Sequence, residues 1–255
     1  MSPRRTMSDN RGDAFGAFLL DHYETGIPSA ELIEREDSYL DSGSEPGLYF
    51  SEYDSWSSAE RQFMSLASSP VLDIGCGAGR HSLYLQSKGL DVVGIDTSPG
   101  AIEVCKRRGL RNARVLPIAQ VGRLERGSFS TILMLGNNFG LLGSPRRAKR
   151  ILRDLHSITR DDAVILAGTR DPYRTSDPDH LDYHRRNRSR RRWPGQIRIR
   201  VRFKRIVGPW FDYLFVSPTE MDEVVAGTGW TVERLIDPSS ANYFAVIRRS
   251  TVPRR

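Results

Sequence analysis

The chain has 255 residues, 38% hydrophobic and 27% charged, with two cysteines and a formal charge of +7. Those proportions fit a soluble globular protein with a sizeable core, and they exclude a disulfide scaffold, a Cys-rich metal site and a low-hydropathy disordered chain. No apolar run is long enough to span a bilayer. Residues 1–10 also lack the apolar segment of a secretory signal, so a cytoplasmic protein with no membrane partner is expected.

The charge is uneven. Residues 184–205 hold eleven of the 38 Lys and Arg and no acid, which leaves 27 basic against 31 acidic residues elsewhere. One local basic surface is implied rather than a globally basic protein.

In chain order, residues 1–12 read as a disordered arm. Residues 14–23 form a helix with Phe15, Phe18, Leu19 and Tyr23 near one face. Residues 29–35 are expected as a short helical turn, residues 41–47 as a loop and residues 57–67 as a helix. Strand and helix then alternate. Strands are expected at 71–74, 91–95, 115–118, 131–135 and 163–167. The intervening helices begin at Arg80, at Pro99 behind a Ser98 cap, and at Pro145 behind Ser144. Such alternation predicts parallel strands covered by helices on both faces.

Residues 196–207 instead alternate strictly, Ile197, Ile199, Val201 and Phe203 against Arg198, Arg200, Arg202 and Lys204, as in a half-buried strand. Gly208 and Pro209 turn the chain toward an antiparallel partner at 210–216. Ser217 to Glu220 spells a capping box with Pro218 at the first helical position. Residues 230–236 and 243–248 close the chain as two strands, and 251–255 are a short tail.

The informative run is Val71-Leu72-Asp73-Ile74-Gly75-Cys76-Gly77-Ala78-Gly79-Arg80-His81. An apolar strand feeds a Gly-rich turn and a helix starts at once, which lets a ligand approach free backbone N–H groups. About 20 residues on, the next strand ends in Asp96, whose carboxylate can accept from both hydroxyls of a ribose. A dinucleotide site is the main rival. Against it, the glycines alternate at 75, 77 and 79, and Asp73 would face a pyrophosphate with negative charge. A carboxylate there suits a ligand with an ammonium group and no phosphate.

Residues 72–81 resemble the first motif of class I S-adenosylmethionine-dependent methyltransferases, and Gly94-Ile95-Asp96-Thr97-Ser98 resembles their second. Leu135-Gly136-Asn137-Asn138-Phe139 resembles the fourth-strand segment of the glycine N-methyltransferase-like small-molecule branch. The resemblance implies an α/β fold: a Rossmann-like, mostly parallel sheet with an antiparallel last strand, here with an inserted antiparallel β-hairpin lid. Taken with the pattern of elements, the chain divides into the arm 1–12, an N-terminal helical cap 13–68, a cofactor-binding core 69–170, a basic loop and hairpin 171–216 and closing elements 217–250. The resemblance implies S-adenosyl-L-methionine as cofactor and S-adenosyl-L-homocysteine as product.

Asp73 would orient the methionine ammonium. Gly75, Cys76 and Gly77 would meet the methionine and sugar. Asp96 would hold the ribose and Thr97 would flank the adenine. Ala119 and Gln120 fall where the adenine amino group is read, with Gln120 replacing the usual acid. Leu135, Gly136 and Asn137 would line the methionine arm, Asn137 and Asn138 facing the methyl group.

Methyl transfer from a sulfonium mainly needs alignment and desolvation. A base is required only where the acceptor must lose a proton early. Tyr53, His184, Asn137 and Asn138 are the weak catalytic candidates, with His180, Tyr23 and Asp171 behind them. Tyr53 belongs to an aromatic cluster, Tyr49, Phe50, Tyr53 and Trp56, that reads as packing or as a cap with Tyr53 near the methionine carboxylate. His81 reads as structural and His156 as solvated. No metal site is expected, and the oligomeric state is open. The basic segment reads as a solvated strand face, as a lid attracting an acidic small-molecule acceptor, or as an RNA surface. Three functions follow: a small-molecule N- or O-methyltransferase, an RNA methyltransferase using 185–205, or a non-catalytic cofactor-binding protein.

Overall fold

The computed structural model describes residues 12–250. The terminal arm and tail expected from sequence therefore lie outside the described residues, Gly12 apart. Helix α1 (Ala14–Thr25) starts where the Asp13 carboxylate accepts from Gly16 N–H and stops at left-handed Gly26. The expected helical turn over 29–35 is instead strand β1 (Leu32–Arg35), paired with β2 (Leu40–Ser42). The expected loop 41–47 thus begins as a strand and ends in helix α2 (Pro46–Phe50). Helix α3 (Ser58–Met64) follows its Ser57 cap.

The alternating core forms in the anticipated order, but the strand expected at 115–118 lies earlier, at Ala113–Val115, and Ile118–Arg123 make a 3-10 turn instead. The core runs β3 (Val71–Ile74), α4 (Arg80–Ser87), β4 (Val92–Asp96), α5 (Pro99–Arg107), β5 (Ala113–Val115), β6 (Phe129–Met134), α6 (Pro145–Ile158) and β7 (Thr159–Arg170). Ser98 and Ser144 cap α5 and α6 through their side chains, each ahead of a proline that needs no N–H partner. Helix α6 buries Ala148, Ile151, Leu152, Leu155 and Ile158, the spacing of one helical face. Every residue of β3 and β6 is buried, as befits strands covered on both faces.

Helix α7 (Pro178–Ser189) occupies part of the stretch expected as a basic loop. The strand expected over 196–207 breaks in two, β8 (Gln196–Phe203) and β9 (Ile206–Val207), because Lys204 takes a positive φ of 52° and turns the chain back. Strand β10 (Phe211–Leu214) pairs antiparallel with β8, as expected. Helix α8 (Pro218–Val225) carries the complete Ser217–Glu220 capping box. Strands β11 (Trp230–Ile236) and β12 (Asn242–Arg249) close the chain.

Seven strands form the main sheet in the order β11-β12-β7-β6-β3-β4-β5. Its β3, β4, β5, β6 and β7 run parallel, and β12 is antiparallel to both of its neighbours. The strand order reverses between β3 and β6, where open α/β sheets leave a crevice beyond the carboxyl ends. A second sheet, ordered β10-β8-β1-β2 with β9 at the end of β8, joins the inserted segment to the N-terminal strands. The hairpin lid inferred from sequence is thus half of a lid, and β1 and β2 supply the rest.

Candidate active site

One large cavity, of about 1310 Å³, opens at the carboxyl edge of the main sheet. Its floor is the Gly-rich turn. Gly75, Gly77 and Gly79 adopt φ of 71°, 55° and 81°, a region costly to other residues. A Cβ at Gly75 would also lie 2.5 Å from the Asn138 amide nitrogen. At the end of β4 Asp96 accepts from Gly77 N–H at 3.1 Å and Ser98 N–H at 2.9 Å. Burial, with Asp13 adding like charge, pushes its carboxyl up to about 6.

Asp13 ties α1 to this edge. Its carboxylate accepts from Ser98 Oγ and Gly100 N–H, both at 2.9 Å. Across from Asp96, Leu116, Pro117 and Ile118 present an apolar wall, while Leu135, Gly136 and Asn137 extend from β6. A Cβ on Gly136 would meet nothing within 4 Å, so this backbone borders open space.

Of the residues singled out in the sequence, Gly75, Cys76, Gly77, Asp96, Thr97, Leu135, Gly136, Asn137, Asn138, His180 and His184 line the cavity. Asp73, Ala119 and Gln120 are not on its wall. Asp73 is buried beneath the turn, where Ser82 Oγ donates to it at 2.7 Å. Gln120 sits in the following 3-10 turn and accepts from Arg123.

Tyr53 lies away from the cavity, stacked on Tyr84 with ring centroids 4.3 Å apart. Tyr23 packs on Phe50, and Asp171 is buried at the start of its own turn, accepting from Tyr173 N–H. His156, expected in solvent, instead packs edge-on against Trp230. His184 is buried, and desolvation followed by Arg188 lowers its pKa, which favours the neutral ring.

Asn138 does not face the cavity with its amide N–H groups. They donate to Ile74 O at 3.0 Å and Gly75 O at 2.9 Å, so Asn138 holds the turn in place. Asn137 is left-handed, φ 66°, and its carbonyl accepts from Tyr213 O–H at 2.5 Å. Replacing Asn138 by alanine is expected to cost about 1–3 kcal/mol of stability, since two buried carbonyls lose their donor. It should also weaken ligand binding at the turn several-fold; urea unfolding and calorimetry check both.

Sequence reasoning missed the Arg80–Glu60–His81 cluster. Arg80 pairs with Glu60 and donates to Leu48 O and Ser51 Oγ. His81 Nε2 lies 2.8 Å from Glu60 Oε1 and 3.1 Å from Arg80 Nε, and burial, followed by the charge of Arg80, holds the imidazole down at about 3, so it stays neutral. Arg80 therefore carries the charge that meets Glu60.

The roof is the second sheet, whose Ile197, Ile199 and Val201 line the cavity while Arg198, Arg200 and Arg202 do not. Arg200 makes a two-pronged ion pair with Glu34 on β1 and lies over Trp210, and Arg202 joins the same carboxylate. The arginine ladder thus braces the outer face of the lid and presents no charge to the cavity. On the inner face Arg35 is paired with Asp37 and held between the rings of Tyr39 and Tyr183. Among the described residues no group of His, Cys, Asp and Glu could hold a metal, and no helix is long and apolar enough to cross a membrane.

A family profile described as a methyltransferase domain matches residues 71–162. A solved S-adenosylmethionine-dependent methyltransferase from Bacteroides fragilis, in complex with S-adenosyl-L-homocysteine, is 26% identical. It covers 96% of this chain and 98% of its own, with a TM-score of 0.80. A glycine/sarcosine N-methyltransferase of Parasynechococcus marenigrum (strain WH8102) is 27% identical over 120 residues, 45% of this chain and 39% of its own length. The CcbJ methyltransferase of Streptomyces caelestis shares the fold at 15% identity and a TM-score of 0.57, over 78% of this chain and 95% of its own. The chain spans well under half the length of the curated relatives it matches. With the strand order, the glycine turn and Asp96, these likenesses mark residues 71–162 as a methyltransferase domain and make the chain similar throughout to a class I S-adenosylmethionine-dependent methyltransferase.

Proposed function

We propose that this chain transfers a methyl group to a small-molecule acceptor, nitrogen being the favoured atom. The observation that carries the reading is the large cavity at the carboxyl edge of the sheet. At about 1310 Å³ it exceeds the several hundred Å³ usual for one ligand and so has room for cofactor and acceptor together. Its roof covers the carboxyl edge of the sheet with Ile33, Ile197, Ile199 and Val201 beside an Arg35 already matched by Asp37, which suits a small molecule better than a basic groove for RNA. The pairing of Arg200 and Arg202 with Glu34 also favours this reading over the RNA one. Nitrogen is favoured by the likeness to a glycine/sarcosine N-methyltransferase.

The residues present fit the cofactor. The three left-handed glycines open a cradle that side chains would fill. Asp96 stands where two ribose hydroxyls can donate to it, and Leu116–Ile118 offer an apolar slot for a flat base. When bound, the sulfonium supplies an electrophilic methyl group and leaves as a neutral thioether. The chain contributes alignment and dryness: Gly136 and Asn137 border the reacting region, Tyr213 fixes Asn137, and the lid strands exclude water.

The test is release of S-adenosylhomocysteine from S-adenosylmethionine with sets of small amines, alcohols and carboxylic acids, beside a structured RNA. Turnover confined to small molecules is expected. Turnover with RNA alone, or saturable cofactor binding with no turnover on any acceptor, would replace this reading.

A further inference from the structure

One buried carboxylate in the cavity has no role in holding the cofactor. Glu31, only 2% exposed, lies on the cavity wall just before β1. Successive inward positions are Glu31, Ile33 and Arg35, the period-two face of an extended chain. Room for the side chain comes from Gly43 across the β1–β2 turn, where a Cβ would lie 2.3 Å from Glu31 Cγ and 3.0 Å from Oε1. Any other residue at 43 would displace the carboxylate, so its place is built.

The surroundings of Glu31 point to a missing cation. Arg35 nearby is already matched by Asp37. Among the described residues Glu31 makes no ion pair, and its side-chain donor is Tyr49 O–H, 2.8 Å from Oε1. A buried carboxylate without a cation is expensive. Desolvation accordingly raises its pKa against the opposing pull of Tyr49 and of Ser44 N–H. A cationic ligand would relieve that cost.

The location is the one methyl transfer needs. The Tyr49 ring sits over the Gly-rich turn, 3.6 Å from where a Cβ of Gly77 would be. Tyr213 lines the same cavity as Tyr49, and its hydroxyl rests on the Asn137 carbonyl at the end of β6. Glu31, Tyr49 and Tyr213 thus span the gap between the turn and the β6 end.

We propose that Glu31 is the acceptor-binding carboxylate, and that the acceptor is an amine that enters as its ammonium ion and pairs with Glu31 beside Tyr49. The inference rests on the small-molecule methyltransferase reading above and specifies its substrate class. In the step, an ammonium N–H proton passes to the Glu31 carboxylate and the freed nitrogen lone pair closes on the methyl carbon as the carbon–sulfur bond breaks. The electron pair of that bond stays on sulfur. The nitrogen regains a positive charge with its new methyl group, and Glu31 returns its proton to water when the product leaves.

The test uses the full chain saturated with S-adenosylhomocysteine and three matched pairs of probes: benzylamine and benzyl alcohol, cyclohexylamine and cyclohexanol, ethanolamine and ethylene glycol. Binding is read by saturation-transfer NMR and calorimetry. At least one amine is expected to bind tenfold or more tightly than its alcohol. In Glu31→Gln that preference should fall to twofold or less, while S-adenosylhomocysteine affinity stays within twofold. Equal responses to amine and alcohol in all three pairs, including no response, overturn the proposal whether or not the variant folds. So does an amine preference that survives Glu31→Gln. Failure of the wild-type chain to bind S-adenosylhomocysteine is a different result, which removes the methyltransferase reading beneath it.

Discussion

Asp96→Ala is expected to weaken S-adenosylhomocysteine binding at least 100-fold in calorimetric titration, with the fold retained by circular dichroism. Hydrogen bonds to a charged acceptor contribute about 1.5–3 kcal/mol each, and two ribose hydroxyls would lose theirs. The same carboxylate accepts from Gly77 and Ser98 N–H, so its loss also frees the turn that cradles the ligand. Asp96→Asn keeps one acceptor in place and should fall between the two. Unchanged affinity in the alanine variant would remove Asp96 from the ribose site.

The same residue gives the binding a pH dependence of definite sign. Burial pushes the Asp96 carboxyl up to about 6. The ionised form accepts from both hydroxyls, whereas the protonated form surrenders one acceptor position to its own proton. Ligand binding therefore favours the ionised form. Affinity should be flat above about pH 7 and weaken as pH falls through 6, by at most about tenfold per unit, levelling off at the weaker affinity of the protonated form. The slope should vanish in Asp96→Ala. An affinity that rises on acidification would contradict the assignment.

Much of this site was legible because its signals are local. Gly75, Gly77 and Gly79 announce positive φ, Ser98-Pro99 and Ser144-Pro145 announce helix starts, and Asp96 follows the turn at the spacing of one βαβ unit. The lid was only half legible. The alternation of Ile and Arg over 196–203 fixes which face is apolar, yet which strand lies beside it is a long-range matter. Arg200 finds Glu34 across 166 positions.

Residues 32–35, Leu-Ile-Glu-Arg, are too short for either period to prevail, and pairing with β8 makes them a strand. Helix α7 escaped notice because its buried residues, Tyr183, His184 and Asn187, include two polar side chains among many charges. Its Asp177-Pro178 start was nevertheless a visible cap. Tyr53 misled because an aromatic cluster does not say which member turns toward the cavity; Tyr49, four residues earlier, is one that lines it. Glu31 carried no motif at all, since a buried acid becomes conspicuous only once Gly43 and Tyr49 stand beside it.

Gly100→Ala is expected to be a strongly damaging single-methyl addition outside the glycine turn. Helices α1 and α5 touch here backbone to backbone: a Cβ at Gly100 would lie 2.7 Å from Gly16 Cα and 2.9 Å from Gly16 O. No flexible side chain can give way, so α1 must move as a body. Its position is fixed by Asp13, which caps α1 through Gly16 and holds Ser98 Oγ and Gly100 N–H. Displacing α1 strains those bonds and uncovers Phe18 and Leu19, both 0% exposed. Overpacking a rigid contact costs about 1–3 kcal/mol, and a contact with backbone on both sides belongs at the upper end. At about 3 kcal/mol a domain of this size should lose roughly 6–12 °C in Tm. Gly47→Ala is the control, because a Cβ there meets nothing within 4 Å and Gly47 has no positive φ. Because Asp13 and Phe15 also line the cavity, Gly100→Ala should weaken S-adenosylhomocysteine binding as it destabilises the fold, and limited proteolysis should cut first at or before α1. An unchanged Tm would show that the two helices have slack at their closest point.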